Sequence, residues 1–491
     1  MQFTSLSYII FLAAAAGVSY VVPRQYRYLW LLAGSLFFYA HFGIAYLLIL
    51  LLTIMITFRA ARTMAGKEQK ARARYYYSCL FGILAIFLFF KYADAFMAAA
   101  HLSMSVPMMS AVRRLTGADR ILLPAGMSFY MFQEISYLTD CYKGRMDPED
   151  NPGRYALYVS FFPQIVSGPI ERAWSMLPQY REPEPFDYNR VRDGVLLMLW
   201  GYFQKMVLAD RAAMIVNGIY AYPGYYSGTM VRLAVLLYSI QLYLDFSGYS
   251  CIAVGAAKIM GFRLTMNFNA PFFSATISEF WRRWHISLSQ WLRDYIYIPL
   301  GGNKKGKKRQ YLNIMIVFLV SGMWHGADIT YVIWGALHGL YEVAGSVLKP
   351  LRDRVITALQ LDRLTAAHRL YKTCVTFLLV SFAFIWFRAD NVQEAVLIIR
   401  NLLGVQPWRL VDGTLYSFGM NAQEIRLLFA GIALVLLNDG LHMKGISLSG
   451  KVGEQPMWLR WTIYLAAFLV VIICGTWGPG YSEESFIYSH F

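Results

Sequence analysis

Residues 29–58 read LWLLAGSLFFYAHFGIAYLLILLLTIMITF, thirty positions without one charged side chain. As one helix this run is about 45 Å long, more than the roughly 30 Å hydrocarbon core of a bilayer requires. His41, Phe42 and Gly43 in its middle mark a bend or a hairpin. The pattern is that of membrane helix, not of a soluble core.

Outward from it, apolar runs recur at 5–22, 77–92, 194–218, 231–260, 312–342, 373–387, 425–441 and 460–477, with weaker ones at 121–140 and 155–170. They predict ten to twelve spans along the 491 residues, and 57% of the chain is hydrophobic, against about 45–50% in soluble domains. The first run, Thr4 to Val22, has no basic flank, and no small-residue cleavage site precedes Pro23. It therefore reads as a retained span, not a signal peptide. With no repeat and no appended soluble segment, residues 1–491 are expected to form a single all-α, polytopic membrane domain.

The net charge of +16 is concentrated between the apolar runs. Arg59, Arg62, Lys67, Lys70, Arg72 and Arg74 crowd one loop; Lys304, Lys305, Lys307, Lys308 and Arg309 crowd another; Arg352, Arg354, Arg363, Arg369 and Lys372 populate a third. This is the positive-inside distribution, which places those loops in the cytoplasm beside anionic lipid and removes nucleic acid as the expected partner. The second cluster is also placed to meet an anionic soluble donor. Five dispersed cysteines, Cys79, Cys141, Cys251, Cys374 and Cys474, show neither a disulfide framework nor metal spacing.

Residues 279–299, EFWRRWHISLSQWLRDYIYIP, depart from the plain apolar pattern. At helical spacing Trp284, Leu288, Trp291 and Tyr295 share one face, and Arg283, Gln290 and Asp294 the other. The segment reads as a helix lying in the interface or dipping into it. His285 within it gives a re-entrant segment a reason to exist, because irregular backbone survives at depth only where protein or a cavity surrounds it.

The sequence carries no GxSxG elbow, P-loop, HExxH or dinucleotide fingerprint. Chemistry must then rest on ionisable groups inside the membrane, which are costly and tend to be functional. His325, in SGMWHGADITYVIWGALHG at 321–339, stands out. A neutral imidazole there can take a hydroxyl proton and return it to a leaving group. Gly322 and Gly326 leave room for a substrate beside it. His338, thirteen positions on, does not share a face with His325 on one straight helix and suits a supporting role. Asp245, within YLDFSGYS, is an acid in an apolar run, fit to orient a histidine, pair with an arginine or cap a helix broken at Gly248.

Taken together, FWRRWHISLSQWLRDYIYIPLGGN and SGMWHGADITYVIWGALHG resemble the membrane-bound O-acyltransferases (MBOAT). The likeness is to the branch that includes the membrane subunit of alginate O-acetylation and the teichoic-acid D-alanyl transferase. GMSFYMFQEISYLTDCY at 126–142, FFPQIVSGPIER at 161–172, YLDFSGYS at 243–250, NFNAPFFS at 267–274 and FIWFRAD at 384–390 extend it over residues 120–390. Cys251 departs from it, standing where an aspartate is expected after DFSGYS.

The resemblance implies a ring of about eleven transmembrane helices, with re-entrant or interfacial helices, around a thinned centre where funnels from both faces meet. It makes His325 the catalytic residue and His285 a second site residue; Asp245, Trp284, Trp324, Arg282, Arg283 and His338 are the expected lining or supporting groups. The C-terminal ESFIYSHF matches an F-x-Y-x-x-F pattern at Phe486, Tyr488 and Phe491. It implies a tyrosine, Tyr488, that carries the acyl group. The expectation in full is a bacterial inner-membrane enzyme with no resident cofactor or metal. An acyl thioester, acetyl-CoA or a carrier-protein thioester, arrives from the cytoplasm, and backbone amides or His285 steady the oxyanion. A separate extracytoplasmic SGNH-type acetyltransferase then delivers the group to a polysaccharide. The rival readings are D-alanyl or longer-chain transfer from an acyl-carrier protein, and a polysaccharide transporter or flippase without chemistry.

Overall fold

The computed structural model describes residues 1–99, 123–358, 360 and 365–477, and among them the secondary structure is all helix and turn, with no strand. Among the described residues, six helices are long and apolar enough to cross a bilayer: Ile44–Met64, Gln69–Ala93, Thr229–Ile259, Ala366–Arg388, Ala422–Met443 and Met457–Cys474. Leu6–Val21 is a shorter apolar helix. The chain is a multi-pass membrane protein. The described residues gather into two compact units, one within 1–198 and 249–265, the other within 199–248 and 266–477.

In the first unit, the thirty-residue run 29–58 is divided between Arg27–Ala40 and Ile44–Met64. The break falls at Gly43, whose φ of 134° lies outside the range of L side chains. Helix Met127–Tyr142 is buried along almost its whole length, and tyrosines knit its surroundings together. Tyr155 donates to Thr57 Oγ1 at 2.7 Å, and Tyr39 to the Ala125 carbonyl at 2.8 Å. The apolar stretch 155–170 is not one helix: Pro152–Ser160, capped by Asn151, ends at Phe161. The turns that follow bring Glu171 to the Thr265 amide. Two of the quoted motifs, at 126–142 and 161–172, therefore do structural work in this unit.

The second unit differs from the sequence reading in two places that matter for the site. The run 312–342 is not a single segment but a helical hairpin, Gly306–His325 and Ile329–Val347, turned over residues 326–328 with Asp328 capping the second helix. The residues at 279–299 are not one helix either. Ile277–Arg283 and Ile286–Leu292 are separated by a sharp turn at Trp284–His285, and a π-helical turn, Arg293–Tyr297, follows. The apolar residues resume on either side of each break, with Gly326, Ala327 and Asp328 in the one and His285 in the other.

Candidate active site

The hairpin is closed by small residues. A side chain at Gly322 would place its Cβ 2.4 Å from the Tyr331 carbonyl oxygen, and one at Gly335 would lie 2.3 Å from that of Phe318. Gly322 and Gly326 are thus glycine so that residue 331 can pack against them, and the space expected there for a substrate is filled. Such close backbone approach is the way membrane helices gain dispersion contact without a hydrophobic drive.

This seam fixes what lies beside it. Ser321 and His325 each stand one position before Gly322 and Gly326; Thr330, Trp334 and His338 each stand one before Tyr331, Gly335 and Gly339. One residue is 100° of rotation, and the two helices run antiparallel, so both stripes turn to the same side of the hairpin. His325 and His338, which one straight helix would have kept apart, are joined through Trp334. Its indole meets the His325 ring at 4.9 Å and the His338 ring at 5.1 Å, both edge-on. Trp324 and Phe387 complete the wall around His325, at 4.8 and 5.2 Å between ring centroids. His325 itself is buried.

His285 reaches the same place from the other chain segment. Its backbone is left-handed (φ 41°, ψ 56°), a conformation that costs a non-glycine residue about 1–3 kcal/mol. Asn267 holds it: its carbonyl accepts from the Ile286 amide at 2.9 Å and its Oδ1 from the Ser287 amide at 3.2 Å. The NFNAPFFS motif therefore acts as a clamp for this turn. The His285 ring lies against Phe246 at 4.7 Å and Trp324 at 6.2 Å, so Trp324 stands between the two imidazoles.

Below Phe246 in the same helix, Asp245 forms a buried ion pair with Lys205 Nζ at 2.7 Å, and Lys205 also reaches Asp210 at 2.8 Å. Helix Thr229–Ile259 continues through Gly248, so Asp245 caps no break. Lys205 was missed in the sequence although it is an ionisable residue inside an apolar run, the signal that should have marked it. It sits in a π-helical turn, Phe203–Ala209, which frees carbonyls from the usual ladder. The Met206 carbonyl accepts from the amide and the hydroxyl of Thr476, at 3.0 and 2.9 Å, and Thr476 also donates to Asp210 at 3.1 Å. Arg211 holds the Cys474 carbonyl at 2.5 Å. The chain leading toward its C-terminus is thereby pinned to the charged cluster.

Of the remaining expected residues, Trp284 is buried in an aromatic cluster with Phe268, Phe280 and Phe384. Arg283 pairs with Glu279 at 3.0 Å and holds the Asn269 carbonyl, so it braces the turn before His285. Arg282 is exposed. Tyr488, with Phe486 and Phe491, lies outside the described residues. Among the described residues no cluster of three or more His, Cys, Asp or Glu side chains is arranged to hold a metal ion.

His338 has a defined tautomer. Trp281 Nε1 donates to its Nδ1 at 3.3 Å, and an indole can only donate, so the neutral ring carries its proton on Nε2. That Nε2, Trp334 Nε1, Ser321 Oγ and Thr330 Oγ1 are all buried with no hydrogen-bond partner among the described residues. Each such group costs about 1–3 kcal/mol where it stays unmatched. The four lie on the two stripes that share the His325 side of the hairpin.

An imidazole buried at a helix break, a second imidazole across one indole, and hydrogen-bonding groups beside them suit acyl transfer within a bilayer. The family model of the MBOAT, membrane-bound O-acyltransferase, family matches residues 151–385, which include His285, His325, Trp334 and His338. The chain belongs to that family and is a membrane-bound O-acyltransferase. It is 34% identical over 413 residues to a protein of Pseudomonas putida described as a probable alginate O-acetylase, covering 82% of this chain and 80% of that protein. It is 33% identical to the peptidoglycan O-acetyltransferase of Helicobacter pylori, over 77% of this chain and 74% of that protein. The teichoic acid D-alanyltransferase of Streptococcus thermophilus is more distant, 29% identical over 46% of this chain and 57% of that protein.

Proposed function

We propose that this enzyme takes an acetyl group from acetyl-CoA on the cytoplasmic side of a bacterial inner membrane and passes it across for O-acetylation of an extracytoplasmic polysaccharide, alginate or a cell-wall glycan. The observation that carries the reading is the placement of His325. A single imidazole in a low-dielectric, aromatic wall, next to unmatched hydrogen-bonding groups, can serve as a general base where water cannot compete. The extensive likeness to proteins named for alginate and peptidoglycan O-acetylation favours acetyl over D-alanyl transfer, for which the likeness covers less than half the chain. A flippase would have no use for the family's acyl-transfer chemistry.

In this mechanism the acceptor hydroxyl attacks the thioester carbon while His325 takes its proton. The tetrahedral intermediate then collapses, the C–S bond breaks, and the thiolate recovers the proton from His325. The acceptor is the Tyr488 phenol. Thiols (pKa about 8.5) leave more readily than phenols (about 10), and both leave more readily than sugar hydroxyls, so a tyrosyl ester preserves most of the thioester's transfer potential. The ester is handed to an extracytoplasmic SGNH-type partner with its own serine. About eleven helices ringing a thinned centre, with funnels from both faces, would let donor and acceptor meet at His325.

Incubation of the purified enzyme with labelled acetyl-CoA, followed by mass spectrometry of the C-terminal peptide, tests this directly. Label on Tyr488 is expected, lost in His325→Ala and Tyr488→Phe. A His325→Ala enzyme that still acetylates polysaccharide normally overturns the mechanism. Label elsewhere, with Tyr488→Phe fully active, overturns the carrier step.

A further inference from the structure

We propose that Trp334 and His338 form an oxygen-binding subsite for the acyl donor, with Trp334 Nε1–H donating to the thioester carbonyl oxygen as it becomes an oxyanion and His338 Nε2–H donating to a further oxygen of the same molecule. The proposal rests on His325 being the general base of the reading above. Trp334 and His338 are four residues apart on helix Ile329–Val347 and lie on one face. Both are fully enclosed, at 1% and 0% exposure, and neither N–H has an acceptor among the described residues.

The chemistry of these two atoms selects the guest. An indole nitrogen only donates, and Trp281 occupies the one acceptor position of the His338 ring. Both groups therefore ask for an acceptor, not for a cation or a second donor. Trp334 touches the His325 ring, so the oxygen it holds belongs to the reacting group. The carbonyl of the thioester is the oxygen that gains charge during attack, and a fixed donor in a dry site stabilises that charge far more than the ground-state carbonyl. His338 stands one turn further toward Val347 and is held in place by Trp281. It meets a more distant carbonyl or hydroxyl of the donor's pantetheine arm, which coenzyme A and carrier proteins share.

The test uses the full-length enzyme in detergent, with acetyl-CoA and acetyl-pantetheine as alternative donors and His325→Ala measured alongside. Trp334→Phe keeps an aromatic ring but removes the donor; kcat is expected to fall about 100-fold or more with KM changed less than about twofold. His338→Leu is expected to raise KM for both donors, and His338→Gln, which restores an N–H, to recover part of that loss. Thermal unfolding of each variant is recorded. Wild-type kcat in Trp334→Phe, or a loss of stability without a kinetic effect because the two groups hold only structural water, overturns the inference. If His325→Ala is inactive in that case, the general-base reading stands alone; if His325→Ala is active, that reading fails first. A KM effect of His338→Leu on acetyl-CoA but not on acetyl-pantetheine places the second oxygen outside the arm and overturns that part of the assignment.

Discussion

At the scale of single residues, the energetics of the site are set by charges and by one strained turn. Lys205 lies buried between two carboxylates, and removing it breaks its ion pairs with both Asp210 and Asp245. Lys205→Met is expected to destabilise the protein by about 3–5 kcal/mol, read as a lower unfolding temperature in detergent. Asp245→Asn is expected to cost less, because Lys205 keeps Asp210. A milder effect of Lys205→Met than of Asp245→Asn would show that the lysine is not the keystone. His285 offers a cleaner separation of fold from function. His285→Gly is expected to unfold at a higher temperature than His285→Ala, because both lose the buried ring's packing but glycine accepts the left-handed backbone that Asn267 clamps. Acyl transfer should nevertheless fall in both, since the ring beside Trp324 is gone.

At the scale of elements, the hairpin is the part most sensitive to substitution. A Cβ at Gly335 would meet the Phe318 carbonyl and the Gly322 backbone, neither of which can move aside as a flexible side chain does. Gly335→Val is expected to abolish the monodisperse peak in size-exclusion chromatography, whereas a valine at Gly345, with nothing within 4 Å, should be tolerated. The π-helical turn is the second such element. Thr476→Val removes its hydroxyl's bonds to Met206 and Asp210 and is expected to cost about 1–2 kcal/mol of stability while leaving the amide bond to Met206 in place.

At the scale of the whole molecule, orientation follows from charge. The basic clusters that flank helices Ile44–Met64 and Gly306–His325 predict that both ends face the cytoplasm. A cysteine replacing Lys307, in a chain whose exposed Cys374 is removed, should react with a membrane-impermeant thiol reagent only after the membrane is opened. Labelling of intact spheroplasts would reverse the topology and with it the side from which a thioester enters.

The membrane class, the family and the candidate histidines were legible because hydropathy and residue type are local. Thirty uncharged residues need a bilayer whatever they touch, and the motif blocks around His285 and His325 can be recognised without a fold. Whether an apolar run continues or folds back is not local. Runs 312–342 and 279–299 look continuous in hydropathy, and packing reveals how the turns are held: Asp328 caps the second helix of the hairpin while residue 331 fills its glycine side, and Asn267 holds the amides after His285. The same holds for partners. The sequence supplied an acid at Asp245 and an imidazole at His338, but their chemistry is decided by Lys205, forty positions away, and by Trp281, which sets the proton on the His338 ring. Composition determined where this chain resides; the contacts between distant segments determined which of its buried polar atoms are matched and which are left to meet a substrate.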